Sequence, residues 1–380
     1  MKQSRIILAA AATALLASCA ANKADSDANL TLSGLDPQNF VAEVNGDSTA
    51  LYTLRNAAGM EACITNYGGR IVSLMVPDRD GTMTDVVLGH DNINDYLNID
   101  GNFGALIGRY GNRIDHGQFT LNDSTYHLPI NNYGHSLHGG PVGFHNAVWN
   151  ATQPNDSTLL LTLFSPDGDA GYPGNINVSV TYQLRPDNAI AIDYTATTDR
   201  PTILNLTNHS YFNLAADHSN DILSELVYIN ADGFTPIDST FMTYGEIRPV
   251  EGTPFDFRTA KPVGQDIEAD DEQLHNGLGY DHNFVLNTAG DSTVVAASVT
   301  DPSTGIKMEV LTNEPGLQFY VGNFLDGTVK GKKGVAYPRR SAVVMETQHY
   351  PNTPNIPSFP SVVVNPDDVY HSTCIYRFSN

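Results

Sequence analysis

Apolar and polar side chains alternate along Val178-Ser179-Val180-Thr181-Tyr182-Gln183-Leu184. After the turn signal Pro186-Asp187-Asn188, the residues Ile190, Ile192 and Tyr194 repeat the same alternation. A period of two indicates a β-strand with one buried face, and turn residues between two such runs predict that the chain reverses there.

The same kind of pattern recurs along the rest of the chain. Further predicted strands are Ile71–Val76, Thr84–Leu88, Leu159–Phe164, Val294–Val299, Met308–Leu311, Leu317–Val321 and Ala342–Met345. Helical patterning is limited to two short segments, Asp91–Leu97 and Asp266–Leu274. No internal repeat or change of composition marks a second domain. We therefore predict an all-β fold, a large single-domain antiparallel β-sandwich that begins near Phe40 and occupies residues 40–380.

Composition excludes several classes of function. The chain has 380 residues, 42 of them acidic and 20 basic, for a formal charge of −22. Hydrophobic residues make up 41%, so intrinsic disorder is excluded. The acidic balance leaves no basic face for phosphates, so no nucleic-acid partner is expected. A small neutral or cationic substrate suits this charge better than an anionic polymer.

The N-terminus reads as an export signal. Lys2 and Arg5 precede an apolar run from Ile6 to Ala17, which is too short to span a bilayer, and Leu16-Ala17-Ser18-Cys19 follows. This ending resembles the lipobox of bacterial lipoproteins. We expect a signal peptide at residues 1–18, lipid on Cys19 and a flexible tether over residues 19–39. The protein would be lipid-anchored at the cell envelope, in the outer membrane, facing the periplasm or the surface. An ordinary secretory signal is the alternative.

The remaining cysteines, Cys63 and Cys374, are expected to be two buried free thiols, with a disulfide as the alternative. Metal-binding spacings are missing from the sequence. His135 and His138 are three apart without further ligands, and Asp167-Gly168-Asp169 is only a fragment of a calcium loop. We expect no catalytic metal, and the sequence leaves open whether a structural Ca²⁺ ion binds.

Six segments carry side chains suited to chemistry. His209 lies in a run of hydrogen-bonding residues and is the group there that exchanges a proton near neutral pH. Glu346 follows an apolar strand, where partial desolvation raises the pKa of a carboxyl and makes it a better base. Asp281 and His282 are neighbours on a strand, so they should point to opposite faces. Each segment alone is also compatible with a purely structural role. The segments are Gly108–Ile114, Asn131–Gly140, Asn205–Leu214, Gly279–Phe284, Pro315–Tyr320 and Met345–Asn352.

Together and in this order, these segments resemble the aldose 1-epimerase (mutarotase) family with its galactose-mutarotase-like fold. The resemblance runs from about Phe40 to Phe378. It is carried above all by Thr207-Asn208-His209-Ser210-Tyr211-Phe212-Asn213-Leu214 and Glu346-Thr347-Gln348, with support from Asn66 to Ile71, Leu137 to Gly140, Gly171 to Gly174, Gly322 to Phe324 and Phe359 to Ser361. Two departures are His135, where the family often has Asn, and Pro366-Asp367-Asp368, which replaces the usual Pro-Gly-Glu.

The resemblance implies an isomerase that interconverts the α and β anomers of free aldoses, such as glucose and galactose, without a cofactor. It implies that Glu346 accepts the proton of the C1 hydroxyl while His209 donates a proton to the ring oxygen. It also implies a set of sugar-binding residues, namely Asn112, Arg113, His138, His209, Ser210, Tyr211, Asp281 and Gln318.

Three alternative functions compete with this assignment. The first is a sugar-binding protein that has lost catalysis. The second is a glycoside hydrolase that uses Asp281 and Glu346 as its carboxylate pair. The third, an epimerase for phosphorylated sugars, is disfavoured by the low basic count and the export signal. We expect a monomer that takes small neutral aldoses and meets the membrane only through its lipid.

Overall fold

The computed structural model describes residues 30–99 and 101–380. The described strands are, in chain order, β1 Glu43–Val44, β2 Asp47–Ser48, β3 Leu51–Arg55, β4 Glu61–Thr65, β5 Arg70–Pro77, β6 Met83–Asp85, β7 Ala105–Ile107, β8 Arg113–Ile114, β9 Gln118–Leu121, β10 Ser124–His127, β11 Ser136–Leu137, β12 Asn150–Asn155, β13 Thr158–Ser165, β14 Ile176–Leu184, β15 Ala189–Thr198, β16 Thr202–Ile203, β17 Thr207–His209, β18 Tyr211–Phe212, β19 Leu226–Ile229, β20 Ala231–Thr235, β21 Arg248–Pro249, β22 Lys261–Pro262, β23 Asp281–Leu286, β24 Val295–Thr300, β25 Lys307–Thr312, β26 Gly316–Tyr320, β27 Val343–Gln348, β28 Val363–Val364 and β29 Tyr370–Ser379.

Helices are short. The two described α-helices are α1, Ile93–Asn98, and α2, Glu272–Gly277. Asn92 caps α1 by accepting the backbone N–H of Asp95, and Asp271 caps α2 in the same manner. Helix α1 falls where the sequence predicts it, whereas α2 begins six positions later than the predicted Asp266. Single 3₁₀ turns lie at Pro37–Phe40, Asp115–Gly117, Phe144–Asn146, Asp169–Gly171, Val263–Gln265, Lys332–Gly334 and Thr353–Asn355.

Two large sheets form the sandwich. A nine-stranded sheet has the order β12-β13-β14-β15-β29-β25-β24-β19-β22, and a six-stranded sheet has the order β18-β27-β26-β23-β20-β21. Strands β3 to β6 form a four-stranded sheet beside them. The pairings within these three sheets are antiparallel. The predicted all-β antiparallel sandwich is confirmed.

The core lies between the nine-stranded and six-stranded sheets. Strand β14 buries Val178, Val180 and Tyr182, the apolar half of its alternation. These side chains belong to one hydrophobic cluster with Phe319 and Met345 from the six-stranded sheet. Because that sheet presents its apolar residues to the core, its polar residues face the other side, and this other side carries the candidate site.

The domain begins earlier than the sequence predicts. Leu35 is buried, and the turn Pro37–Phe40 buries the Phe40 ring. The Leu32 N–H donates to Glu61 Oε1 at 2.6 Å, and the Ser33 hydroxyl donates to Ser73 at 2.9 Å. The expected tether over residues 19–39 is therefore wrong for residues 30–39, which pack on the domain.

The predicted signal peptide, Cys19 and the rest of the tether lie outside the described residues. No helix within the described part of the chain has both the length and the apolar character needed to cross a bilayer. Cys63 and Cys374 are both buried and unbonded to each other, as expected.

Candidate active site

The outward face of the six-stranded sheet carries three of the predicted residues. Gln318 on β26 lies directly opposite Glu346 on β27, and Asp281 on β23 lies opposite Tyr320 on β26. Directly paired residues share a sheet face, so Glu346, Gln318 and Asp281 all point the same way. Glu346 lies inside β27, not at its end as the sequence predicts, which places it deeper below the surface.

His282 confirms the expected division of faces. Its ring packs in the core against Phe255, with centroids 4.5 Å apart, and its Nδ1 accepts the Asp281 N–H at 3.2 Å. Burial lowers the pKa of His282 to about 3, which keeps the ring neutral. His282 therefore holds the backbone of Asp281 while Asp281 alone faces the site.

His209 reaches the same place from a different strand. Strand β17 pairs with β7, so that His209 lies opposite Ala105. The Asn208 side chain points away and donates to the Gly104 carbonyl at 3.0 Å. As a result, His209 Nε2 lies 3.8 Å from Glu346 Oε1, with both side chains almost fully buried.

Burial pushes the pKa values of this pair in opposite directions. Desolvation lowers the pKa of His209 to about 4, with a smaller contribution from the positive charge of Arg70. Desolvation raises the pKa of Glu346 well above its usual value, and the carboxyl of Asp281 adds to this, whereas Arg113 opposes it. Both shifts disfavour the charged forms, so burial favours a neutral imidazole beside a protonated carboxyl.

Asn112 and Arg113 form one wall. Asn112 adopts a left-handed backbone, with φ of 64°, and its Oδ1 accepts the Arg113 N–H at 2.8 Å. The Arg113 Nε–H donates to Asn132 Oδ1 at 3.0 Å, and the guanidinium lies 4.8 Å from the Phe241 ring centroid. Arg113 is thus held in place beside the two carboxyls; burial lowers its pKa, and the carboxyls of Asp281 and Glu346 oppose this effect.

His138 presents a defined tautomer. Its Nδ1 accepts the Asn112 N–H at 3.1 Å, so the ring proton of the neutral form sits on Nε2. Burial holds the pKa of His138 well below its usual range, and the neighbouring His209 and Arg113 lower it further. The ring stands perpendicular to that of His209, with centroids 5.3 Å apart. His138 is therefore a neutral hydrogen-bond donor beside the candidate acid.

The side chains of Asp281 and Gln318 form a hydrogen bond. Gln318 Nε2 donates to Asp281 Oδ1 at 2.7 Å. Gln318 Oε1 and Glu346 Oε2 are buried, and neither accepts a hydrogen bond from the described residues. Two acceptor atoms are thus aligned along neighbouring strands, which is the arrangement that hydroxyl groups of a ligand can satisfy.

Most of these side chains line one cavity of about 160 Å³, and several of its lining residues, among them His138 and Tyr320, also line a second cavity of about 550 Å³. Six of the eight predicted sugar-binding residues line the smaller cavity, and Gln318 is hydrogen-bonded to one of them, Asp281. Ser210 differs, because it is fully buried and its hydroxyl donates to Asn208 Oδ1 at 2.6 Å. It supports the β17–β18 turn and is not among the residues that line the cavity. The smaller cavity is lined by Asn102, Asn112, Arg113, Asn132, Leu137, His138, His209, Tyr211, Asp281, Tyr320, Phe324 and Glu346.

Sequence reasoning missed several wall residues. Tyr320 shares the sheet face of Gln318 two positions away, so the period of a strand was a usable signal for it. Asn132, which holds Arg113, and Asn102 and Phe324 lie in loops and had no such signal. Another concavity, of about 500 Å³ on the outer face of the nine-stranded sheet, is lined by Phe164 and short side chains without a titratable group.

The fragment that resembles a calcium loop is bonded within the protein. Asp167 Oδ1 accepts the Gly174 N–H at 2.6 Å and lies 3.2 Å from the Arg200 guanidinium. Asp169 accepts a hydrogen bond from the Ser165 hydroxyl. Both carboxylates therefore already have donors from the protein.

Comparison with known proteins identifies the family of the chain. The family model described as Aldose 1-epimerase matches residues 50–377. The chain is 43% identical to galactose mutarotase of Mus musculus over 316 residues, which cover 83% of this chain and 90% of that protein. It is 38% identical to aldose 1-epimerase of Escherichia coli K12 over 336 residues, 88% of this chain and 96% of that protein.

Solved structures show the same fold. A crystal structure of an aldose epimerase homologue from C. elegans superposes with a TM-score of 0.81 at 31% identity, covering 87% of this chain and 99% of that chain. Galactose 1-epimerase from Lactobacillus acidophilus gives a TM-score of 0.78 at 28% identity, with coverage of 89% and 96%. Sequence, fold and cavity thus agree in one assignment, and the chain belongs to the aldose 1-epimerase family.

Proposed function

We propose that this protein is a mutarotase that interconverts the α and β anomers of free aldoses, galactose and glucose among them, with Glu346 as base and His209 as acid. The observation that carries the proposal is the 3.8 Å approach of His209 Nε2 to Glu346 Oε1 at the floor of a small polar cavity. The names of its relatives, galactose mutarotase and aldose 1-epimerase, support the same reaction.

The reaction needs one group to accept a proton while another donates one. Glu346 takes the proton of the C1 hydroxyl and His209 gives a proton to the ring oxygen, so the bond between C1 and the ring oxygen breaks. The resulting aldehyde rotates about the C1–C2 bond, and the ring closes on its other face with both transfers reversed. The pair ends with the same single proton with which it began.

The resting state of the pair fits this cycle. The form with a protonated Glu346 and the form with a protonated His209 hold the same number of protons and differ only in its position. A bound sugar donates hydroxyl hydrogens to the carboxylate and offers its ring oxygen to the imidazolium, and such hydrogen bonds favour the charged forms. Substrate binding therefore moves the proton onto His209, where the acid is needed.

The other side chains hold the sugar. Asp281 and Gln318 accept and donate at one end, Arg113 and Asn112 donate on the wall, and the His138 Nε2–H points beside the acid. Arg113 is the one lysine or arginine lining the described cavity, and it faces the carboxyls of Asp281 and Glu346. A sugar phosphate would meet those two carboxyls, so the charge pattern favours a neutral aldose.

Polarimetry tests the proposal. Residues 20–380 include every described residue and are to be mixed with freshly dissolved α-D-galactose and then α-D-glucose. Relaxation of the rotation should accelerate in proportion to the protein. Glu346→Gln should lower kcat about 10²- to 10⁴-fold, the usual contribution of a positioned acid or base. Glu225→Gln is the matched control, because it replaces a buried carboxyl outside the cavity and should leave the rate unchanged.

Two outcomes separate the alternatives. Sugar binding without faster relaxation would identify a non-catalytic binding protein. Release of the aryl group from a nitrophenyl galactoside would identify a glycoside hydrolase, with Asp281 and Glu346 as its carboxyl pair. Unchanged catalysis by Glu346→Gln would refute the assignment of the base.

We also propose that the protein is exported and carries lipid on Cys19, as its N-terminal sequence predicts. In bacteria that express the whole chain, the parent should sediment with the envelope, whereas Cys19→Ser should lose that association. We propose that a monomer is active, because the proposed acid and base, His209 and Glu346, already meet within one chain. We propose that the reaction itself needs no metal, so dialysis against EDTA should leave the rate unchanged.

A further inference from the structure

Three side chains that the proposed reaction does not use meet beside the cavity. Asp115 and His116 lie in the turn that follows β8, and His135 lies in the loop before β11. Asp115 Oδ1 is 2.8 Å from His116 Nδ1 and 3.1 Å from His135 Nδ1. One ligand atom from each residue therefore converges on a common point, and we call these three residues the rim cluster.

The hydrogen bonds around His135 fix its tautomer. The Thr240 hydroxyl donates its single proton to Asp238 Oδ1 at 2.6 Å. The 2.9 Å contact between Thr240 Oγ1 and His135 Nε2 must then be donated by the histidine. A neutral His135 therefore carries its proton on Nε2 and presents a lone pair at Nδ1.

That lone pair faces a negative oxygen. Nδ1 receives the His116 backbone N–H at 3.1 Å, but Asp115 Oδ1 lies equally close. Asp115 Oδ1 is buried and receives no hydrogen bond from the described residues, although two imidazoles surround it. The Nδ1 lone pair is used by the His116 N–H, whereas the buried Asp115 Oδ1 beside it has no partner, and a cation between these atoms would satisfy this oxygen.

We propose that the rim cluster binds a divalent transition-metal ion of the zinc class through His116 Nδ1, His135 Nδ1 and Asp115 Oδ1. Imidazole nitrogens suit Zn²⁺, Ni²⁺ and Cu²⁺, whereas Ca²⁺ and Mg²⁺ prefer sets of oxygen atoms. Ligand atoms that each stand about 2.0–2.1 Å from one zinc ion lie roughly 3 Å apart, and Asp115 Oδ1 lies at such a distance from the Nδ1 atoms of both His116 and His135. Binding exchanges the His116 N–H contact for a bond to the metal.

A metal ion can reach the rim cluster from solvent, and its binding would affect the support of Arg113. The His116 side chain is 75% exposed, so water and metal reach the cluster, and the formal charge of −22 attracts cations. The ion would join the turn after Arg113 to the loop that holds Asn132, the acceptor of the Arg113 Nε–H. Metal binding therefore stiffens the support of Arg113 without entering the reaction.

Calorimetric titration of the metal-free chain with ZnCl₂ tests the site. The parent should bind one ion, and His116→Asn or His135→Asn should weaken affinity by at least about tenfold, since even outer-shell changes cost that much. His275→Asn is the control, because His275 is an exposed histidine 3.6 Å from Asp270 and should not affect binding. Co²⁺ should give a visible absorption band in the parent that both rim variants lose.

The cavity offers a second set of ligand atoms, from His138, His209 and Glu346, which the experiment must separate. Glu346→Gln should retain the high-affinity zinc site. Loss of binding in Glu346→Gln with retention in His135→Asn would overturn the proposal, as would the absence of zinc binding in the folded parent. Circular dichroism verifies the fold of each variant, and the exposed position of His116 makes His116→Asn informative even if His135→Asn fails to fold. The binding readout does not depend on epimerase activity.

Discussion

Acidification to pH 5.5 should leave the mutarotase rate of this protein almost unchanged. Catalysis needs the pair of His209 and Glu346 to hold one proton, and a second proton removes the base. Burial lowers the pKa of His209 to about 4. A group with this pKa leaves about 97% of the pair in the active form at pH 5.5, whereas an ordinary histidine near 6.5 leaves only about 9%.

The assay is kcat/KM for α-D-galactose by polarimetry between pH 4.5 and 8, with the rate of buffer alone subtracted. The pH dependence of kcat/KM reports the ionisation of the free enzyme, and the pKa of His209 given above also belongs to the protein without substrate. Circular dichroism at each pH shows whether the protein remains folded. A rate that falls about tenfold at pH 5.5, with a midpoint near 6.5, would refute the reasoning, because His209 would then behave as a solvated histidine. The pH profile of Asp281→Asn serves as the control, because it shows whether titration of the Asp281 carboxyl, and not of His209, changes the rate.

Three further outcomes follow from burial. Burial raises the pKa of Glu225 to about 8 from 4.5, so between these pH values the unfolded chain ionises this carboxyl while the native state keeps it protonated, and about 5 kcal/mol of stability is lost; urea denaturation of Glu225→Gln should show a smaller loss between pH 5 and 8.5 than the parent, and an equal loss would contradict the shift. Asp281→Asn should raise KM about 10- to 100-fold with a smaller change in kcat, since it removes a charged hydrogen-bonding partner of the sugar; steady-state polarimetry measures both, and an unchanged KM would remove Asp281 from the binding set. Burial raises the thiol pKa of Cys63 and of Cys374 to about 11, so neither should react with a thiol reagent until guanidinium unfolds the chain; rapid reaction of the native protein would contradict their burial.

The alternation of apolar and polar residues predicted the strands and the faces to which their side chains point. The alternation in Val178–Leu184 became β14, and the fold class, the family and the mutarotase function predicted from the sequence are confirmed. Neighbours on a strand separated Asp281 from His282 because side chains alternate in every β-strand.

Contacts between distant segments escaped prediction. The approach of His209 to Glu346 depends on β17 pairing with β7 beside β27, which no local pattern encodes. The rim cluster escaped for a similar reason, because it needs His116 in a left-handed turn, with φ of 49°, against a loop nineteen positions later. Ser210 was assigned to the sugar from its neighbours, whereas the bond to Asn208 turns its hydroxyl inward.

If Cys19 carries lipid, as proposed, the early start of the folded domain limits where the enzyme can work. With lipid on Cys19, as proposed, residues 20–29 are all that separates the membrane from a chain already packed at Leu32 and Leu35. A ten-residue linker spans at most about 35 Å, whatever its conformation. The domain itself is roughly 50 Å across, so it cannot move away from the membrane by even one diameter. The cavity would then sample only a thin layer above the lipid surface.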